Sequence, residues 1–398
     1  MPSISYKKLT PPQRILLGPG PSNIHPRVQM AMLSPIVGHL DPYFITIMED
    51  TMSLLRNLFI TENRLTFPIS GTGSAGMEAS LCNFLEPGDS AVIGVNGLFG
   101  ERMVDIARRC GAKVTPVTAE WGRIIEPEAI KDAIQQEKQV KLLALVHAET
   151  STGVLQPLIE ASQLAKQYES LFLVDTVTSL GGHEVAVDNW GIDICYSGTQ
   201  KCISCPPGLA PFTANENALS VIKKRTHKIP SWYLDLSLLS SYWSTDRFYH
   251  HTAPISMVYA LHEALALIVD EGIEARIHRH RKHGLALQAG LVAMGLKLHA
   301  QEGYRLNTLT SVRIPSGVND LRVRQGLLNE WNIEIGGGLG PLKGQIWRIG
   351  LMGYSSSAEN VLLLLSALEK QLIAEGYSVQ PGIGVAAAIK SLEGEKPS

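Results

Sequence analysis

The sequence predicts an α/β fold, in which a large unit carries a mostly parallel sheet between helices and a smaller C-terminal α+β unit follows. Three observations predict it. Short apolar runs alternate with helix-length segments from residue 64 to residue 213, as in a sheet covered on both faces. Beyond residue 254 the texture changes to long helical patterns followed by shorter strands. At 398 residues the chain has room for two or three folding units, or one large unit with a smaller companion.

In chain order, a polar, Pro-rich start leads to residues 43–59, where Phe44, Ile47, Met48, Leu54, Leu55 and Leu58 fall at near-helical spacing. Strands are expected at 64–69, 91–95, 113–117, 141–147, 171–175, 192–197 and 209–213, with helices at 76–85, 101–110, 127–136 and 158–168 between most of them. Helices follow at 255–270 and 273–294, the second with His and Arg at its polar positions. The smaller unit adds strands at 296–299, 308–314, 333–335 and 345–351 and helices at 319–331 and 357–374. After Gly376 periodicity fades, and the tail is either a packed arm or a loose end.

Composition narrows the function classes. Hydrophobic residues make up 45% and charged residues 18% of the chain, an ordinary globular balance. A net charge of −2 without a long basic run gives no footprint for nucleic acid or anionic lipid, so the expected partners are small molecules. No run reaches the ~18 apolar residues of a membrane span, and the amino end lacks a signal-peptide core. Five cysteines make no disulfide framework, which fits a cytoplasmic protein, and the terminal Glu-Lys-Pro-Ser is not a peroxisomal address.

The chemistry concentrates on one lysine. Leu171-Phe-Leu-Val-Asp175 is an apolar run ending in a carboxylate, and a second apolar run stops at Ser197-Gly-Thr-Gln-Lys201. Neighbouring strand ends bring both groups to the carboxyl edge of the sheet, where open α/β sheets bind ligands. That pair suits pyridoxal phosphate: the amine condenses with the cofactor aldehyde and the aspartate pairs with the pyridinium nitrogen. Asp175 alone also reads as a helix cap. Lys201 lies in an uncharged stretch, where desolvation favours the neutral amine that proton transfer requires. Upstream, Ser70-Gly-Thr72-Gly73-Ser74 follows a strand and opens a helix, which reads either as a phosphate cradle at the helix's positive end or as ordinary turn chemistry.

These residues resemble the class V, fold-type I aminotransferases of the alanine:glyoxylate and serine:pyruvate branch. The likeness runs from Leu17-Gly-Pro-Gly-Pro to Trp347-Arg348-Ile-Gly, through Ser70-Gly-Thr-Gly, Leu85-Glu-Pro-Gly-Asp, Ser151-Thr-Gly-Val-Leu-Gln-Pro, Asp175 to Gly182, Tyr196-Ser-Gly-Thr-Gln-Lys-Cys, Tyr249-His-His-Thr252 and Gly336-Gly-Gly-Leu-Gly-Pro341. It implies an N-terminal arm or small-domain segment at 1–25, a large cofactor-binding domain at 26–265 and a small C-terminal domain at 266–398. It implies that Lys201 carries the cofactor and shuttles the proton between the substrate α carbon and C4′, that Asp175 holds the ring nitrogen, and that Val177 faces the ring. Thr72, Gly73 and Gln200 match phosphate-binding positions, and Thr150 one beside the ring hydroxyl. Tyr249 and Thr252 match phosphate contacts given by a partner subunit, which implies a homodimer with shared sites. Arg348 matches the clamp on the substrate carboxylate, with Gly20 and Thr150 near the substrate. Two positions depart from the animal enzymes: Phe99 stands where an indole stacks on the ring, and Ser74 where a histidine is found.

Other conspicuous residues read more plainly. Cys202-Ile-Ser-Cys205 has metal spacing without a second pair, so no metal is expected. The adjacent side chains of His250 and His251 are expected to diverge. The run from His278 to His283 reads as a solvated helix face, and Gly336-Gly-Gly-Leu-Gly as a flexible loop ahead of the Arg348 strand. The function expected is transfer of an amino group from a small amino acid, alanine or serine, to glyoxylate. The alternatives are a serine:glyoxylate or serine:pyruvate aminotransferase as the main activity, then cysteine desulfuration, with Cys205 as its thiol, and a non-catalytic scaffold.

Overall fold

The computed structural model describes residues 6–394; the first five residues and the terminal Glu-Lys-Pro-Ser lie outside the described residues. Seven strands form the central sheet: β1 (Leu65–Ser70), β2 (Ser90–Val95), β3 (Lys113–Thr118), β4 (Leu142–Val146), β5 (Leu171–Asp175), β6 (Ile194–Tyr196) and β7 (Leu209–Ala214). Their order is β1-β7-β6-β5-β4-β2-β3. Strand β7 runs antiparallel to both neighbours and every other pair is parallel. All seven expected strands are present. Strands β4 and β5 are buried along their whole length, which is why they read as continuous apolar runs rather than alternating ones.

Two helices start earlier than the spacing predicts. The segments expected to begin at 76 and 101 begin earlier, as helices Gly73–Phe84 and Leu98–Arg109. Glycine weakens a helix locally, but here it lets the helix lie close on the sheet. A Cβ at Gly76 would stand 3.1 Å from the Cβ atoms of Ala210 and Tyr196, and one at Gly100 would stand 2.5 Å from the Gly94 carbonyl oxygen. Tertiary approach therefore overrides propensity at both helix mouths.

Two separate large apolar clusters are present. One is built on the central sheet with the flanking helices Pro42–Phe59 and Ile255–Glu271. The other joins Leu17 to residues between Ala286 and Ala388. Its three-stranded antiparallel sheet comprises β8 (Leu309–Arg313), β9 (Gly336–Gly337) and β10 (Ile346–Gly350), in the order β8-β10-β9. Ile15–Leu16 pairs in parallel with Ile333–Glu334, so the N-terminal segment is fastened to this second sheet region before it crosses to the first.

Several expectations need correction. Residues 296–299 form no strand; Leu298 makes only an isolated bridge to Val312. The glycine-rich segment is not a free loop: Gly336 and Gly337 pair with Arg348 and Trp347, and Gly340–Leu342 forms a 3-10 turn. The tail resolves to a packed arm, helix Ile383–Gly394, lying against helix Ile273–Ala293. A Cβ at Gly290 would come within 2.8 Å of the Gly384 carbonyl, so glycine permits that crossing. The His278–His283 run is not a solvated face: His280 is fully buried, His283 is buried, and Arg279 donates to the carbonyls of Gly353 and Ser356. Helices Pro26–Met32, Glu216–Lys223 and Leu236–Trp243 were not anticipated.

Candidate active site

The carboxyl ends of β1, β2, β4, β5 and β6 converge on one place, with β10 approaching from the second sheet. Asp175, the last residue of β5, pairs in register with Tyr196, the last of β6. Its carboxylate accepts hydrogen bonds from the Tyr196 hydroxyl at 2.7 Å and from the Val177 backbone N–H at 2.8 Å. Burial pushes the carboxyl up to about 6, opposed by those two donors and by the charges of Lys201 and Arg102.

Lys201 follows β6 and is buried. Its ammonium donates to the Pro19 carbonyl oxygen. Gly20 (φ +107°) lies directly beside it: a Cβ there would be 2.5 Å from Nζ, and L side chains rarely adopt that backbone. Ser22 ties the same N-terminal segment down by donating from Oγ to the Lys201 carbonyl at 2.8 Å. Burial first, then the charge of Arg348, bring the amine down to about 8. A group that gives and takes a proton near neutrality is what results.

The turn after β1 has an open, donor-rich mouth. Gly71 (φ +147°) donates to the Gly208 carbonyl at 2.9 Å, and Thr72 stands at the cap of helix Gly73–Phe84 without its hydroxyl capping that helix. The Thr72 and Ser74 side chains are exposed. A Cβ at Gly73 would crowd Val177 Cγ2 at 3.1 Å. Nearby, Gln200 Oε1 is buried with no hydrogen-bond partner. Uncommitted hydroxyl and amide groups, the start of a helix, a neutralisable buried amine and a buried carboxylate together fit pyridoxal phosphate.

Arg348, on β10, is 6% exposed. It donates from Nε to the Gly337 carbonyl at 2.8 Å and from Nη1 to the Thr150 carbonyl at 3.3 Å. Among the described residues no carboxylate lies within 4.0 Å of it. Burial lowers the guanidinium to about 10, with Glu149 acting the other way. Thr150 is buried and meets Arg348 through its backbone.

Phe99 is half-buried at the start of helix Leu98–Arg109, with its N–H donating to Glu149 at 3.2 Å. Tyr249 and Thr252 are exposed, with hydroxyls 3.5 Å apart; neither hydrogen-bonds Lys201, Asp175 or Arg348 among the described residues. The neighbouring histidines do not diverge: the Nδ1 atoms of His250 and His251 are 2.8 Å apart, and His251 Nε2 meets Ser70 Oγ at 2.7 Å. Adjacent residues outside a regular strand need not point apart. Cys202 and Cys205 are buried, and Cys202 donates to the Thr178 carbonyl. No group of three metal-ligating side chains occurs among the described residues.

Three residues of the site were missed. Tyr196 was legible as the cross-strand neighbour of Asp175 once β5 and β6 were placed side by side. Glu149 is fully buried and pushed up to about 7 by desolvation; it accepts from the N–H and hydroxyl of Ser151 as well as from Phe99. Its only sequence signal was its place between Ala148 and Thr150. Arg102 had no signal, since an arginine on a helix reads as a solvated charge.

The fold and this donor set define a pyridoxal-phosphate enzyme of the fold-type I architecture. The chain belongs to the class V aminotransferases: the family model for Aminotransferase class-V matches residues 31–359. It is 42% identical to the (S)-ureidoglycine--glyoxylate transaminase of Bacillus subtilis, over 97% of both chains. It is 42% identical to the alanine--glyoxylate aminotransferase of Callithrix jacchus, over 93% of this chain and 90% of the relative. Solved structures agree. The ureidoglycine-glyoxylate aminotransferase of Bacillus subtilis superposes with a TM-score of 0.95 at 44% identity, covering 97% of this chain and all of that one. The alanine--glyoxylate aminotransferase of a Nostoc species gives 0.91 at 49% identity, covering 93% and 98%. The protein is an aminotransferase and uses pyridoxal phosphate.

Proposed function

We propose that this aminotransferase moves the amino group of a small amino acid, alanine or serine, to glyoxylate, giving glycine and pyruvate or hydroxypyruvate. Glyoxylate as acceptor is supported by the names of both kinds of relative. One observation carries the substrate class: Arg348 is a buried cation with no carboxylate within 4.0 Å among the described residues, beside a lysine whose amine burial brings down to about 8. A planar, always-charged guanidinium holds one α-carboxylate in two parallel bonds.

When bound, the cofactor supplies an aldehyde for the amine and a ring that accepts electron density. The rest falls to the chain. Lys201 would hold the cofactor through its amine and, as a neutral amine, would take the proton from the substrate α carbon and return it at C4′. Asp175, fixed by Tyr196 and Val177, would hold a proton on the ring nitrogen. Phe99 and Val177 would face the ring, Thr150 would meet its hydroxyl, and Thr72, Gly73, Ser74 and Gln200 would hold the phosphate. Arg348 and Gly20 would shape the space for the substrate and fix its orientation through its carboxylate. Tyr249 and Thr252 complete the phosphate site of a second copy. Exposed Met30, Leu33, Ile36, Tyr43, Phe248 and Tyr249 support that homodimer. A cytoplasmic setting is supported by five unpaired cysteines. The domain division at 26–265 and 266–398 is proposed with it, on the two apolar clusters.

A second donor, (S)-ureidoglycine, is favoured by the Bacillus relative that spans 97% of both chains. Desulfuration is disfavoured, since Cys205 is 1% exposed and burial raises its thiol far above neutrality. The test is a donor panel with glyoxylate. Alanine or serine should give the highest kcat/KM; a preference for ureidoglycine would replace the donor assigned here, and sulfide release from cysteine at a rival rate would overturn transamination.

A further inference from the structure

Ser74 and Phe99 are bridged by one side chain. Arg102 donates from Nη1 to Ser74 Oγ at 3.2 Å, and its guanidinium carbon lies 5.0 Å from the centroid of the Phe99 ring. It sits three residues after Phe99 on helix Leu98–Arg109, so both side chains share one face. Its charge reaches inward as well, lowering the Asp175 carboxyl and the Tyr196 hydroxyl. Among the described residues no carboxylate lies within 4.0 Å of it. A cation without a counter-ion thus borders the second residue of the helix whose mouth receives the cofactor.

We propose that Arg102 is the cation that neutralises the cofactor's phosphate ester, reaching it past Ser74. The inference rests on the cofactor reading above. A helix start and neutral hydroxyls supply partial charges only, while a phosphate monoester carries nearly two negative charges. A guanidinium adds a full charge and directed donors. Serine at position 74 is short enough to leave the path open, and its hydroxyl fixes the arginine's direction. The same side chain braces Phe99 from behind by a cation–π contact.

The test compares binding of pyridoxal phosphate and of pyridoxal, which lacks the phosphate, to the cofactor-free full-length protein, followed by absorbance and fluorescence. Arg102→Gln should weaken pyridoxal phosphate about tenfold to a hundredfold, the range expected for a charged hydrogen bond, and leave pyridoxal within about twofold. Arg102→Lys should recover part of the loss, because it retains the charge. Inorganic phosphate should compete with cofactor rebinding in the parent protein more strongly than in Arg102→Gln. Equal losses for both ligands would mean that Arg102 acts only through Phe99, and no loss for either would make it a surface charge; each overturns the assignment while leaving the cofactor reading intact. If the parent protein bound neither ligand, the cofactor reading itself would fall.

Discussion

Two buried arginines, each 6% exposed, divide the molecule into opposite electrostatic regimes. Arg276, at the start of helix Ile273–Ala293, is saturated: it bonds Glu271 at 2.6 Å and the carbonyls of Gly181 and Cys202 at 3.0 and 2.6 Å. Arg279 closes the knot on the other oxygen of Glu271 at 2.5 Å. Arg348 has two backbone carbonyls and, among the described residues, no carboxylate within 4.0 Å. Equal burial therefore says nothing about role; what matters is whether the buried charge already has its counter-ion. A saturated ion holds structure together, and an unsaturated one holds a place for a ligand.

The sharpest way to break that contrast is to delete each charge and look for crossed effects. Arg348→Met should lower kcat/KM by roughly a thousandfold, the loss of two charge-assisted bonds to the substrate carboxylate at ~1.5–3 kcal/mol each. The stability of the cofactor-free protein should hold or rise in urea titration, because an uncompensated buried cation has gone. Arg276→Met should do the reverse. It removes the donor to two carbonyls and leaves Glu271 with Arg279 alone, and should lower unfolding stability by about 3–5 kcal/mol, while the protein that remains folded keeps most of its kcat/KM. A large activity loss from Arg276→Met without loss of stability would merge the two regimes.

The sequence revealed one regime better than the other, for a physical reason. Strands buried on both faces leave continuous apolar runs, so the central sheet was legible, and the functional groups at its carboxyl edge followed from the order of those runs. Lys201, Asp175 and the turn at Ser70–Ser74 are local to single strand ends. The Arg276 knot is not local. Its partners, Gly181 and Cys202, come from other elements, and nothing in Arg276-Ile-His-Arg-His-Arg separates a saturated buried cluster from a wet surface. Arg102 was hidden in the same way, because its contacts to Ser74 and Phe99 exist only once two helices lie side by side. Short helices such as Leu236–Trp243 were missed because two turns carry too little periodicity to stand out.

Acid separates the two regions by sign. His280 donates from Nδ1 to the Arg276 carbonyl and accepts from the Gly353 N–H at Nε2, and burial holds it well below its ordinary 6.5. The unfolded chain takes that proton below 6.5 and the folded one does not, so stability from His280 is present above 6.5 and is lost as pH falls. Asp175 runs the other way in the cofactor-free protein. With its carboxyl raised to about 6 from 3.8, the folded state binds the proton first, and its contribution improves as pH falls through that window. Urea titrations of the cofactor-free protein at pH 7.5 and pH 5 should therefore show a shallower acid loss for His280→Gln than for the parent, and a steeper one for Asp175→Asn, each by about 1–3 kcal/mol. Parallel pH curves for all three would remove the distinction.

Glu369 offers the smallest and most local test, because it is a buried anion saturated without any cation. At 6% exposure it accepts from the N–H groups of Gly382 and Gly384, both at 2.8 Å, at the start of helix Ile383–Gly394. The helix end supplies the positive pole, so the carboxylate belongs with the saturated regime even though it forms no ion pair among the described residues. Its removal should loosen the C-terminal arm and nothing else. Glu369→Ala is expected to cost about 1–2 kcal/mol in urea titration and to raise amide exchange within residues 383–394 first. Kcat/KM should stay unchanged, since the arm packs on the far apolar cluster and not on Lys201. Glu369→Gln, which keeps one acceptor oxygen but not the charge, should fall between. If Gln matched the parent, the backbone hydrogen bond alone would matter, and the charge of a saturated buried ion would contribute nothing beyond its geometry.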